Sequence, residues 1–115
     1  MIKVVSLLYR NPSLTAAEFR EYWETTHVPL IKSLLPSMTH YTGSFPIDAG
    51  GPDRPGSAIE CDAIVELGFP DIVTMEREMG SERFNSAERE ASSARLMQLD
   101  KTKTILVEEM VVPLP

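Results

Sequence analysis

The stretch TAAEFREYWETTHVPLIKSLL, residues 15–35, decides how the chain is read. Thr15 and Glu18 stand at capping-box spacing: the threonine oxygen accepts from the third helical amide, and the glutamate reaches back to the cap amide. Leu14 and Phe19 occupy the two positions of a hydrophobic staple. This spacing starts a helix at about Ala16. Phe19, Tyr22, Trp23, Leu30, Ile31 and Leu34 then recur every three or four residues as one apolar stripe, with Glu18, Arg20, Glu21 and Glu24 opposite. Two residues disturb the pattern. His27 falls within the stripe, about 80° from Phe19 on a helical wheel. Pro29 has no amide hydrogen for the carbonyl of Thr25 and disfavours helical geometry at Val28. The expectation is a helix that kinks or steps across residues 26–29, with His27 at the step and Pro36 at the far limit.

Working outward, residues 2–9 (IKVVSLLY) are apolar at nearly every position, which suits a strand covered on both faces. Residues 38–46 (MTHYTGSFP) read as a second strand, with Tyr41, Gly43 and Phe45 on one face and Met38, His40 and Thr42 on the other. Residues 46–58 hold three prolines and three glycines and read as a long loop, expected to be mobile or to reach over a neighbouring subunit. Residues 59–67 alternate: Ile59, Cys61, Ala63, Val65 and Leu67 against Glu60, Asp62, Ile64 and Glu66. A helix is expected from about Pro70 to Gly80 and another from about Ser86 to Leu99, the latter with Asn85 and Glu88 at capping-box spacing. A last strand covers 104–112. The order β-α-β-β-α-β in 115 residues points to one α+β domain, 1–115, of ferredoxin-like form: a four-stranded antiparallel sheet with helices on one face. The strand at 2–9 leaves the other face apolar. Two such sheets packed across a two-fold axis would cover it and enclose a space between them.

Composition narrows the function. The net charge is −6, with 17 acidic and 11 basic residues and no basic cluster, so nucleic acid and anionic membrane are poor partners. No apolar run approaches the ~18 residues of a membrane span. The N-terminal MIKVVSLLYR has no cleavage site and reads as a strand, not a signal peptide. One cysteine, Cys61, fits a reducing compartment, and the cytoplasm is the expected location. Two histidines and no spaced cluster make metal a poor expectation. No phosphate loop or nucleophile elbow appears.

The candidate site residues each carry two readings. His27 is either a core histidine bonded to a freed carbonyl or an imidazole facing a cavity. Trp23, one turn earlier on the same side, is core filler or a cavity wall. Tyr9 and Tyr41 are structural phenols or ligand donors. Asp62 and Glu60 face away from the helices: solvated on a monomer, possible ligand contacts inside an enclosed dimer. Cys61 points the other way and reads as a small buried hydrophobe.

The run SLLYRNPSLTAAEFREYWETTHVPL resembles the opening of EthD-like proteins: a strand, a turn with proline, then F-x-x-Y-W, three residues, H-x-P-L, here Phe19, Tyr22, Trp23, His27, Pro29 and Leu30. The element order over the remaining chain agrees. The resemblance implies a dimeric α/β barrel, in which two ferredoxin-like chains close their sheets face to face. Its broader superfamily includes cofactor-free lactone isomerases, polyketide cyclases, small monooxygenases and haem-handling barrels. In the lactone isomerases, a histidine at the position of His27 serves acid–base chemistry. The expectation is a cofactor-independent homodimeric enzyme that binds a small hydrophobic, oxygenated ring compound and carries out isomerisation, cyclisation, dehydration or decarboxylation. His27 would be the general acid/base, with Trp23, Tyr9, Tyr41 and Asp62 around the substrate. The alternatives are a carrier barrel for a hydrophobic metabolite, or a haem barrel with His27 as axial ligand.

Overall fold

A computed structural model describes residues 1–47 and 60–115. The expected loop 46–58 lies almost wholly outside the described residues. Four strands form one antiparallel sheet: β1 (Ile2–Leu8), β2 (His40–Ser44), β3 (Ala63–Phe69) and β4 (Lys103–Glu108), in the order β2-β3-β1-β4. The helical layer holds α1 (Ala16–Tyr22), α2 (Val28–Leu34), α3 (Ile72–Met79) and α4 (Ala87–Leu96). This is the expected βαββαβ order, an α+β ferredoxin-like arrangement. β4 ends at Glu108, short of the expected 112, and Met110, Val111 and Leu114 beyond it are exposed.

Strand alternation sorts the side chains. Val4, Ser6 and Leu8 pair across the sheet with Leu67, Val65 and Ala63, and Tyr41 and Gly43 with Leu67 and Val65. This set faces the helices. One buried cluster joins Leu8, Phe19, Ala63, Val65 and Leu96, and a second joins Ile31, Leu35, Phe69 and Phe84. Burying a side chain such as Phe19, 1% exposed, contributes roughly 1.5–3 kcal/mol. Met38 packs into the second cluster and does not share the face of His40 and Thr42, because it precedes the strand.

The capping box of α1 is complete: Glu18 N–H donates to Thr15 Oγ1 (3.1 Å), and Thr15 N–H to Glu18 Oε1 (2.8 Å). The other two helices start later than expected. Asp71 caps α3 by accepting from Thr74 N–H, so the first helical residue is Ile72 and not Pro70. Ser86, not Asn85, opens α4 by accepting from Arg89 N–H. Asn85 instead donates to the carbonyls of Met79 and Ser81.

The expected step at Pro29 is a π turn over Trp23–His27, in which Val28 N–H reaches back to Trp23 C=O. The wider ring takes one extra residue per turn, so a proline that an α-helix would reject is accommodated without ending the helix. It also advances the buried face by one position. On a straight wheel from Phe19, Leu30 and Leu34 lie deepest. In the fold Ile31 and Leu35 do, at 5% and 1% exposed, while Leu30 and Leu34 are half-buried. His27 is carried inward with them, to 6% exposed.

The opposite sheet face carries Val5, Leu7, Ile64, Ile105 and Val107, with Ile105 61% exposed. Lys3 crosses it, buried and ion-paired with Glu66 and Glu109.

Candidate functional site

A cavity of about 220 Å³ lies between the helices and the sheet, under the π turn. This corrects the expected position: His27 looks into a space inside one protomer, on the helix side of the sheet, and not into a space between two sheets. The apolar wall comes from Val4, Leu8, Ile31, Val65, Leu67 and Met97. A 150 Å³ apolar cavity is known to take benzene, so this one has room for a single substituted ring.

His27 shares a 2.9 Å hydrogen bond between Nδ1 and Ser92 Oγ, and Ser92 Oγ lies 3.3 Å from the Tyr22 hydroxyl. With Nδ1 committed to Ser92, Nε2 is the nitrogen left for the cavity. Burial, and then the positive charge of Arg89, lower the imidazole from its ordinary value to about 4. The ring is therefore neutral at physiological pH. The hydroxyl chain permits either tautomer. Ser92 can accept from Nδ1–H and donate to Tyr22, or donate to Nδ1 and leave the hydrogen on Nε2.

Trp23 and Tyr41 form the next wall, edge to face at 5.7 Å, and Phe45 also meets the indole edge to face at 5.5 Å. The indole lies flat over Gly43. A Cβ there would fall 2.5 Å from Trp23 Cη2, so only glycine admits the ring. Trp23 Nε1–H is buried with no hydrogen-bond acceptor, at a cost of about 1–3 kcal/mol. Burial pushes the Tyr41 hydroxyl up; the nearby indole N–H offsets this only in part, since it is not aligned for a hydrogen bond. The pocket thus presents a neutral base and a protonated phenol to one apolar space, with the Trp23 ring in its wall.

Tyr9 and Asp62 do not join it. The Tyr9 carbonyl accepts from Gln98 N–H, and its ring is not among the cavity's lining groups. Asp62 stands just before β3 and is held by Arg10: Oδ2 accepts from Arg10 N–H at 2.8 Å, and Oδ1 lies 3.3 Å from Arg10 Nε. Glu60 is exposed and Cys61 half-buried. Trp23 and Tyr41 also border a wider surface cleft of about 500 Å³, with Glu24, Lys32 and His40. That cleft lacks the buried imidazole, so the smaller cavity is the candidate site. Among the described residues no group of His, Cys, Asp and Glu could hold a metal ion. No helix among them is long and apolar enough to cross a membrane.

Sequence reasoning missed α4's contribution. Arg89, Ser92, Ser93 and Leu96 fall at i, i+3, i+4 and i+7, one helical face. Ser92, Ser93 and Leu96 are buried, and Arg89 and Ser93 line the cavity. An inward stripe made of an arginine and two serines, where apolar residues belong, was the available signal.

A helix-covered antiparallel sheet with a buried imidazole under its first helical segment defines a small α+β protein of ferredoxin-like class. The EthD domain model matches residues 11–96. The chain belongs to the EthD domain family. An EthD family protein of Bacillus halodurans is 21% identical, with a TM-score of 0.64 over 96% of this chain and 99% of that one. HapK of Hahella chejuensis aligns at 11% identity and TM-score 0.66 over 100% and 98%. A dimeric ferredoxin-like protein of unknown function from Thermobifida fusca aligns at 12% identity and TM-score 0.60 over 92% and 88%. Likeness at these identities carries the fold. No curated protein matches the chain.

Proposed function

We propose that this chain is a small cofactor-independent enzyme, homodimeric and cytoplasmic, that takes a hydrophobic oxygenated ring compound into the cavity and performs acid–base chemistry with His27. The observation that carries this reading is the neutral, nearly enclosed imidazole whose Nδ1 is fixed by Ser92. In the tautomer with its hydrogen on Nδ1, donated to Ser92, Nε2 is free to act as a directed base. In the proposed step, Nε2 takes a proton from a carbon beside a carbonyl. The Tyr41 hydroxyl donates to the developing oxyanion. The imidazolium then returns its proton at another atom, giving isomerisation, cyclisation or dehydration. An imidazole held near 4 is a weak base, so that donor has to lower the barrier from the oxygen side. The apolar wall excludes water and strengthens each of these interactions.

The dimer has its own support. The open sheet face carries exposed Ile64 and Ile105, and the Thermobifida fusca structure of the same fold is dimeric. Sedimentation should give twice the chain mass of 12.8 kDa; a monomer at micromolar concentration would overturn the pairing but not the cavity.

The test of chemistry is turnover, or solvent-deuterium exchange, on a panel of lactones and polyketide-like ring compounds. His27→Gln should lower the rate by about 10²–10⁴-fold while the protein stays folded. Ligand retention with no exchange in the wild type would replace this reading with a carrier for hydrophobic metabolites.

A further inference from the structure

We propose that the ligand of this cavity is an acid: a small ring compound whose carboxylate is gripped by Arg89, with its ring against the apolar wall and its reacting carbon under His27. This rests on the reading of the cavity given above and names its substrate class.

Arg89 is held in an unusual way. Its Nε–H donates to the Phe84 carbonyl at 3.0 Å, Nη2 donates to Asn85 Oδ1 at 2.9 Å, and the guanidinium stacks 4.4 Å over the Phe84 ring. These contacts fix the plane of the group and use the Nε/Nη2 edge. The Nη1/Nη2 edge is left, and that edge is the fork which receives a carboxylate with two parallel bonds. No carboxylate among the described residues pairs with Arg89.

The lining agrees. No Asp or Glu borders the cavity; its other polar groups are hydroxyls such as Ser6, Ser93, Thr102 and Thr104, together with His27, Trp23 and Tyr41. Arg89 is therefore the one charge facing the space when the imidazole is neutral. Half-buried beside the apolar wall, that charge is less screened than one on an open surface, so an opposite charge there is favoured. The overall negative charge of the protein gives no long-range attraction to acids, so the selectivity is local. An anion on Arg89 would also offset the positive charge that presses on His27, making the imidazole a better base only when substrate is bound.

Trp23 is the only tryptophan of the chain and lines the cavity, so its fluorescence reports occupancy. The probes are hydrocinnamate and hydrocinnamide, alike in shape and different in charge. The acid should bind about ten- to hundredfold more tightly, as charge-assisted paired bonds require. Arg89→Gln should remove that preference and leave amide binding in place. Arg89→Lys, which keeps the charge and loses the fork, should retain part of it. Equal binding of acid and amide to the wild type, a comparison that needs no variant, overturns the proposal and leaves the cavity reading standing. So does a preference that survives Arg89→Gln. If neither probe alters Trp23 emission at millimolar concentration, the cavity reading falls and this inference with it.

Discussion

Protonating His27 should destabilise the fold, and the size of the effect follows from its surroundings. The imidazole is 6% exposed, has an arginine nearby and is lowered to about 4 from an ordinary 6.5. Between those values the unfolded chain binds the proton that the folded one refuses, so stability rises with pH. The contribution is fully present above 6.5 and is lost as the pH falls toward and through 4. Linkage gives a loss of about 2 kcal/mol between pH 8 and pH 5. In a chain of this length that is on the order of 8 °C in Tm. Glu18, Asp71 and Glu109 are also held low by their hydrogen bonds, but they titrate below this window and are common to wild type and variant. The assay is urea or thermal unfolding of wild type and His27→Gln at both pH values and one protein concentration. The variant should be less stable at pH 8, by about 1–3 kcal/mol if glutamine fails to replace the bond to Ser92. The difference should shrink by about 2 kcal/mol at pH 5, because the variant has no proton to refuse. Parallel losses in the two proteins would refute the argument: His27 would then be hydrated or charged in the fold, and a neutral base in an apolar cavity would not exist.

Gly43→Ala places a methyl group 2.5 Å from the Trp23 ring, which Tyr41 and Phe45 contact edge to face. The expected cost is about 1–3 kcal/mol of overpacking, with a shifted Trp23 emission maximum; unchanged stability and emission would show that the ring is not held there. Thr15→Ala should cost about 1 kcal/mol by removing the cap of α1, while Trp23 emission in the folded state stays that of wild type.

What the sequence disclosed was local, and what it withheld was relational. Thr15, Glu18, Phe19 and the alternation of 63–67 each act within a few residues, and each stands in the fold as read. Pro29 announced that something must yield near His27, but an absent hydrogen does not say whether the helix bends, breaks or widens. The π turn is decided by the sheet beneath, which accepts Ile31 and Leu35 in place of Leu30 and Leu34. The same limit hid the far side of the site. Ser92 and Arg89 lie more than sixty residues from His27 and reach it only through packing of α4 against the π turn. Asp62 was misplaced for a related reason: strand parity extended back from Ala63 assumes regular backbone, and the strand begins after Asp62, where Arg10 can capture the carboxylate.

These pieces bear on one another through the π turn. A regular helix through Pro29 would lose the bond to Thr25 and carry the buried face along Leu30 and Leu34, with His27 toward its edge. Widening one turn relieves the proline and brings His27 inward, where Ser92 meets Nδ1. Trp23, at the start of the same turn, is turned onto the one position in β2 that has no Cβ. An indole N–H without an acceptor costs stability, and a histidine held neutral costs it below pH 6.5. A helix selected for packing alone would have exchanged them for leucine. Their joint presence on one π turn, around one cavity, supports the proposed reading of this space as a binding site.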